Sequence, residues 1–362
     1  METPLPMFST HPISGITYLA AYALSLFLSV VICFATIRLL KGESGLARFV
    51  RGRVHTGRRE VVSFGGVAVI VSFTLTLWLV PLFFGMHPDH RSLFGAITLG
   101  TVLMFLLGIY DDLVVARPWT KLTGQLIIAI GLYQFGFHID RIGDWGELGA
   151  LSPVVTILWF VGISNSLNLI DGKDGLAGGL IFLSCLTLTL VYLERDIFEA
   201  PFLSVILAGS VFGFLLFNYP PAKIILGDTG SLPLGLLISL VTLLPLAEGF
   251  TDEIYYLLPL VTLLVPITDT LWAFFRRVRK GVSPFSRDAE HFHHRLERLG
   301  LSPTRTIFVL LGIALYFDVW SLVPVFNINL IPKFTPVFFV FILIHLAFLV
   351  SWLRKKEKEI KT

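Results

Sequence analysis

Carboxylates and amides recur where the long apolar runs of this chain begin or end. The densest group is Asn165-Ser-Leu-Asn-Leu-Ile-Asp-Gly-Lys-Asp-Gly-Leu-Ala-Gly-Gly179, between the apolar runs 151–170 and 176–193. It carries two amides (Asn165, Asn168), two carboxylates (Asp171, Asp174), Lys173 and four glycines. A carboxylate beside hydrocarbon is costly enough to mark a functional site. Glycines let backbone N–H groups crowd around an anion. Asn165, Asn168 and Asp171 follow one another at intervals of three, which on a helix gives them a common face suited to an oxygen-ligated hard cation. The chemistry predicted is the handling of a phosphate-rich ligand with a balancing cation. The plain alternative is a polar hairpin between two membrane spans.

Four further groups share this character. Asp111 and Asp112 end one apolar run, and adjacent carboxylates there repel unless a metal, a lysine or a proton separates them. Lys121 and Gln125 follow one turn apart, after Pro118 at the start of the next run. They read as a phosphate contact or as a solvated helix end with a snorkelling lysine. The stretch Phe217-Asn-Tyr-Pro-Pro-Ala-Lys-Ile-Ile-Leu-Gly-Asp-Thr-Gly-Ser231 includes Lys223 and places Asp228 at a predicted helix N-terminus. That is a favourable place for phosphate, and Asp228 there either caps the helix or holds a metal. In Ser286-Arg-Asp-Ala-Glu-His-Phe-His-His-Arg-Leu-Glu-Arg-Leu-Gly300, Asp288 is the predicted N-cap and Gly300 the stop. A helix between them puts Phe292, Leu296 and Leu299 on one side, His291, His294, Arg295 and Arg298 on the other, and His293 elsewhere. No cysteine and no H-E-x-x-H spacing supports zinc there. Finally, His55 and the Phe64-Gly65-Gly66 step lie near a basic loop. The glycine pair there lets a backbone pass close to a ligand or a neighbouring helix.

The elements that must position these groups are membrane spans. The 362 residues are 55% hydrophobic and 15% charged, with mean hydropathy +0.80. Repeated apolar runs of about 20 residues predict an all-α, polytopic membrane helix bundle, and no alternating strands suggest a barrel. About eleven spans are expected, with cores near 16–40, 61–85, 92–110, 120–137, 151–170, 175–193, 201–217, 230–247, 255–275, 305–325 and 335–353, in one domain covering 1–362. Met1–Gly15 has no basic n-region, so the first run is read as a span. Cys33 and Cys185 lie inside apolar runs and read as small core residues. A net charge of +3 implies no nucleic-acid partner.

With the N-terminus outside, the segments 41–60, 111–119, 171–174, 218–229, 276–304 and 354–362 fall inside. The outside segments then hold only Arg91, Arg141, Arg195 and Lys333 as basic residues. The asymmetry sets this orientation, with the C-terminus cytoplasmic. Every chemical cluster then lies at the cytoplasmic face. Transporter sites gather near the midplane on broken helices. A one-sided cluster instead suits an enzyme that joins a cytoplasmic substrate to a membrane lipid, and a cation-coupled transporter is the rival of another class.

In this order and on one side, Asp111-Asp112 with Lys121, Asn165–Gly179, Asn218–Ser231 and His291-Phe-His-His-Arg295 resemble the polyprenyl-phosphate N-acetylhexosamine-1-phosphate transferases. The His-x-His-His-Arg form resembles the WecA/TagO branch more than the MraY branch, and the resemblance covers nearly the whole chain. It implies the reaction of UDP-GlcNAc with polyprenyl phosphate to give GlcNAc-diphospho-polyprenol and UMP, at the inner membrane. Another UDP-N-acetylhexosamine or UDP-MurNAc-pentapeptide is the alternative donor. It implies Mg²⁺, with Mn²⁺ as a substitute, held by Asp228 and Asn168, and it admits a homodimer. Asp111 would position or deprotonate the lipid phosphate with Asp112 in support, and Lys121 would hold that phosphate. Asn165, Asp171, Asp174, Lys223 and His55 would belong to the substrate site. His291, His293, His294 and Arg295 would grip the sugar-linked phosphate. Two departures stand out. Ile225, three residues before Asp228, occupies a position often aromatic in the family. The loop after His55 also lacks the usual prolines.

Overall fold

The structure is a computed structural model that describes residues 13–53, 61–84, 90–142, 146–250, 252–283 and 290–322. His55, Asp288 and the expected span 335–353 lie outside these residues. Thirteen α-helices are described. The first seven are α1 (Gly15–Lys41), α2 (Gly45–Arg53), α3 (Gly65–Phe84), α4 (His90–Val114), α5 (Pro118–Gln134), α6 (Ser152–Ile170) and α7 (Leu176–Glu194). They are followed by α8 (Glu199–Asn218), α9 (Asp228–Ala247), α10 (Ile254–Thr262), α11 (Leu264–Arg279), α12 (Phe292–Arg298) and α13 (Pro303–Leu322). Among the described residues, β pairing is confined to two isolated bridges, Val62 with Ile224 and Arg141 with Glu147. The chain is a polytopic membrane helix bundle.

Eight of the described helices are long and apolar enough to cross a membrane. The hub is α9: 89% of its apolar window is buried, against 28% for α1 at the periphery. A helix that is hydrophobic all round must be enclosed by other helices or by lipid, and these two represent the two cases. Phe27 and Phe34 on α1, and Leu82 and Phe83 on α3, are left exposed, as a lipid-facing surface requires. Cys33 and Cys185 are free thiols buried in the bundle.

One expected span is built differently. The run 255–275 is two helices, α10 and α11, bent by 72° at Leu263. The last carbonyls of α10 are met by a local turn, with Leu263 N–H donating to Pro259 O at 3.1 Å. The bend redirects α11 so that its polar positions, led by Asp269, face the segment that precedes α12. The expected span 120–137 is the 17-residue α5, opened by Pro118 in its first turn, where a missing N–H costs nothing.

Because lipid tails are as apolar as leucine, helices in a membrane associate by close packing at small residues. Gly66 of α3 rests on the backbone of Gly230 in α9, and Gly108 of α4 rests on the backbone of Asp228. A Cβ at either position would strike main-chain atoms that have nowhere to go. The expected close passage at Gly65–Gly66 is therefore made to a neighbouring helix. The first N–H groups of α3 fix it further: Gly65 N–H donates to Ile225 O at 2.8 Å and Gly66 N–H to Leu226 O at 3.0 Å.

Candidate active site

Helix ends α4, α5, α6 and α9 meet at one end of the bundle, and each brings one polar group. Lys121, in the first turn of α5, is the centre. Its Nζ lies 2.9 Å from Asp111 Oδ2, 2.6 Å from Asp228 Oδ2 and 2.9 Å from Asn168 Oδ1. Asn168 also donates to Asp228 Oδ1 at 2.6 Å and to Ser231 Oγ at 2.9 Å. The Lys121 and Asp111 side chains are only 15% and 12% exposed, so water contributes little screening. Three oxygens from three helices thus converge on a single positive charge. Hydrogen bonds to ionised groups of this kind contribute about 1.5–3 kcal/mol each.

Asp112 does something else. Its Oδ1 accepts from Asp228 N–H at 3.0 Å, and its Oδ2 accepts from Thr229 N–H at 2.9 Å and from Thr229 Oγ at 2.6 Å. The N-terminus of α9 is therefore capped from α4. The cap reading of Asp228 is corrected accordingly. Asp228 opens α9 behind Gly227, a residue at φ 72° that makes no side-chain cap, and its own carboxylate points to Lys121 and Asn168. The two adjacent aspartates of α4 have separate tasks, because one turns toward the lysine and the other toward a helix N-terminus. Asp111 also closes the end of its own helix, its Oδ1 accepting from Ala116 N–H at 2.8 Å.

The loop 171–175 joins this centre to two other segments. Asp171 ends α6 and takes a hydrogen bond from the Gly227 backbone. Burial, followed by the charges of Asp228, Asp112 and Asp174, pushes its carboxyl well above the usual range. Asp174 accepts from Ala222 N–H at 3.2 Å. Asn218 accepts from Gly175 N–H at 2.7 Å and donates to Ile224 O at 2.8 Å. Lys173 pairs with Glu297 of α12 at 2.8 Å.

That pair seats the histidine arm. His293 Nε2 packs against Gly172, 3.1 Å from where a Cβ would stand. His291 and His293 stack at 5.8 Å with rings 6° from parallel, and His294 lies 4.2 Å from His293. The expected helix from Asp288 is corrected: α12 starts at Phe292, with His291 in the cap position making no side-chain cap. The expected apolar side packs on the core, with Phe292 and Leu296 buried and Leu299 against them, and His291, His293 and Arg295 are buried as well, at 5%, 2% and 5% exposure. Burial, then His294, pushes His293 down to about 3, so it is neutral at ordinary pH. Burial and then Lys173 also lower His294.

Not every candidate joins the cluster. Asn165 pairs with Gln125, donating to its Oε1 at 2.8 Å, one turn deeper along α6. Lys223 is exposed, and only its backbone is fixed, donating to Phe217 O at 2.8 Å. Ile225 is used through its backbone, its N–H donating to Val62 O at 2.8 Å. Conversely, Asp269 on α11 was not singled out by sequence. It is 2% exposed, its Oδ2 lies 2.8 Å from His291 Nδ1 and its Oδ1 accepts from Phe292 N–H at 2.8 Å. The available signal was a lone carboxylate in the run Leu264–Phe275, which the cost of a charge near hydrocarbon marks.

Among the described residues, no three His, Cys, Asp or Glu side chains form a metal cluster. The oxygens of Asp111, Asp228 and Asn168 nevertheless meet around one cationic atom. Such a set fits Mg²⁺, which takes one or two protein carboxylates and completes its shell with water and substrate phosphate. It does not fit zinc, which prefers nitrogen and sulfur.

Residues 94–245 match the model of glycosyl transferase family 4, a stretch that holds every carboxylate of the cluster but not the histidine arm. The chain is 35% identical over 264 residues, 72% of each chain, to a "probable undecaprenyl-phosphate N-acetylglucosaminyl 1-phosphate transferase" of Bacillus subtilis (strain 168). It is 31% identical over 312 residues, 78% of this chain and 76% of the relative, to a decaprenyl-phosphate N-acetylglucosaminephosphotransferase of Mycolicibacterium smegmatis. It is also 29% identical over 322 residues, 83% and 96%, to a phospho-N-acetylmuramoyl-pentapeptide-transferase of Anoxybacillus flavithermus. A membrane bundle whose helix ends gather carboxylates around one cation, and whose sequence runs alongside these relatives, belongs to glycosyl transferase family 4, the polyprenyl-phosphate N-acetylhexosamine-1-phosphate transferases.

Proposed function

We propose that this protein transfers GlcNAc-1-phosphate from UDP-GlcNAc to polyprenyl phosphate, in bacteria undecaprenyl phosphate, giving GlcNAc-diphospho-polyprenol and UMP. This is the first membrane step of a cell-envelope polysaccharide. The observation that carries the reading is the meeting of Asp111, Asp228, Asn168 and Lys121 at the N-terminus of α9, with the histidine arm seated beside them. In the reaction, an oxygen of the lipid phosphate bonds to the sugar-linked phosphorus and the diphosphate bond to UMP breaks. Such transfer needs positioning and charge neutralisation more than covalent help from the protein. Asp228 and Asn168 would hold Mg²⁺, or Mn²⁺ in its place, with Asp111 close by. When bound, the ion withdraws charge from the diphosphate and eases the approach of a second phosphate.

The chain's own groups divide the remaining work. Lys121 holds Asp111 and Asp228 together and offers a positive charge to the acceptor phosphate. Asp111 orients that phosphate. Asp112 fixes the N-terminus of α9, whose dipole favours an anion. His294 and Arg295 supply donors to the sugar-linked phosphate, while His291, held through Nδ1 by Asp269, and neutral His293 seat the arm. The basic segments near this end support a site that faces the cytoplasm and a protein of the inner membrane.

The test offers purified protein undecaprenyl phosphate, Mg²⁺ and a panel of UDP-sugars, and records UMP. UDP-GlcNAc is expected to be turned over and EDTA to stop it. UMP release only from UDP-MurNAc-pentapeptide would move the protein to the other branch. Turnover insensitive to EDTA would remove the metal. Movement of unaltered substrate across a liposome, without UMP, would make it a transporter.

A further inference from the structure

The histidine arm is short. Seven residues cannot hold a helix by propensity alone, because nucleation is too costly. The residue in its cap position, His291, also makes no side-chain cap. Both needs are met from α11 by one buried carboxylate. Asp269 Oδ1 accepts from Phe292 N–H, the first N–H of α12, and Oδ2 takes His291 Nδ1, each at 2.8 Å. A second clamp lies further along α11, where Arg276 and Lys280 each approach Glu290 at 3.3 Å.

A carboxylate on Nδ1 selects the tautomer that carries its proton there. It leaves Nε2 as the ring's remaining polar atom. The ring of His291 is further held parallel to that of His293, which packs on Gly172 next to Asp171. A chain of contact therefore runs from Asp269 through His291 and His293 to the acidic loop.

We infer that Asp269 is a positioning residue for the sugar-nucleotide diphosphate: by fixing His291 and the start of α12, it sets the arm's donors against the 171–174 loop. This rests on the donor-binding role given to the arm above. Asparagine tests it well, since an amide has one oxygen and cannot accept from both N–H groups. Loss of a group that orients a ligand typically costs about 10- to 100-fold. Asp269→Asn is expected to lose that much in kcat/KM for UDP-GlcNAc, chiefly through KM, with KM for undecaprenyl phosphate unchanged. His291→Gln is expected to lose a similar amount, and the double variant no more than either one, as residues acting through each other are not additive. Should Asp269→Asn fail to purify as a single species, Asp269→Glu, which keeps the charge but displaces it, takes its place.

A readout without turnover accompanies this. Zero-length carbodiimide cross-linking of the native Lys173–Glu297 pair is expected to fall when Asp269→Asn is introduced. Additive losses, an equal rise in both KM values, or undiminished cross-linking would overturn the inference. Failure of the activity reading shows separately, as absence of UMP from the unmodified protein.

Discussion

Lys121 stands between two carboxylates that would otherwise repel each other, and that is the central fact at the scale of residues. With Asp111 Oδ2 and Asp228 Oδ2 at 2.9 and 2.6 Å, the ammonium holds both acids aligned in a partly desolvated place. Asp111→Asn and Asp228→Asn leave a neutral amide of the same shape, so the bundle is expected to fold. UMP release is expected to drop at least about 10²–10³-fold, the usual loss when one electrostatic stabiliser is removed. Near-normal release from either variant takes that residue out of the mechanism. His293 offers a second prediction. Its folded-state pKa is pushed down to about 3, against about 6.5 in an unfolded chain. Below about pH 6.5 the unfolded state binds the proton and the folded state does not, so this group costs stability as the pH falls, and above it has no effect. The raised Asp171 acts in the opposite sense, so the quantity to measure is the difference between the protein and His293→Gln. The variant is expected to gain stability relative to the unmodified protein from pH 6.5 to 5, by up to about 1.4 kcal/mol per pH unit, seen as a rise in its relative melting temperature. Parallel melting curves would show that His293 is already protonated in the fold.

Elements impose their own constraint, which is the approach of α4 and α3 to α9. The carboxylates of α4 reach Asp228 and Thr229 only because Gly108 lets its helix rest on the α9 backbone. Gly108→Ala places a methyl against main chain, and overpacking of that kind costs about 1–3 kcal/mol. The expected outcome is a lower melting temperature with a disproportionate loss of activity, since the Asp112 cap and the Asp111–Lys121 pair shift together. An alanine variant with full activity would mean that α4 can retreat without disturbing the site. The break at Leu263 is the other decisive element feature. A straight helix over 255–275 would send Asp269 along the bundle, whereas the 72° bend lays α11 beside the arm.

The whole molecule must place all of these groups on one side of a bilayer. Arg117 and Lys280 are exposed at the end that carries the site, and Asp140 and Glu194 are exposed at the other. Both native thiols are buried, so single cysteines introduced at these four positions report sidedness clearly. Residues 117 and 280 are expected to react with a membrane-impermeant maleimide only when it has access to the cytoplasmic side, and 140 and 194 only from outside. Labelling of 117 and 280 from opposite sides would break the site apart. The broad reading of the chain was legible at this scale, because apolar runs and the distribution of arginine and lysine follow from transfer energies that act residue by residue. Asp111, Lys121, Asn168 and Asp228 were legible too, as polar groups that hydrocarbon would reject. Asp269 was passed over because one carboxylate in an apolar run carries no pattern, and its partners lie 22 and 23 positions away.

What the sequence determined by itself, then, was a set of membrane helices and the polar groups at their ends, since burial and solvation depend on local composition. The tertiary structure alone decided which of those groups meet. Asp112 caps a helix 116 positions away while its neighbour Asp111 holds Lys121, and His293 is neutral while Asp171 resists ionisation. Those outcomes depend on distances between helices, which glycine contacts and one sharp bend fix, and on the low polarity of the space they enclose.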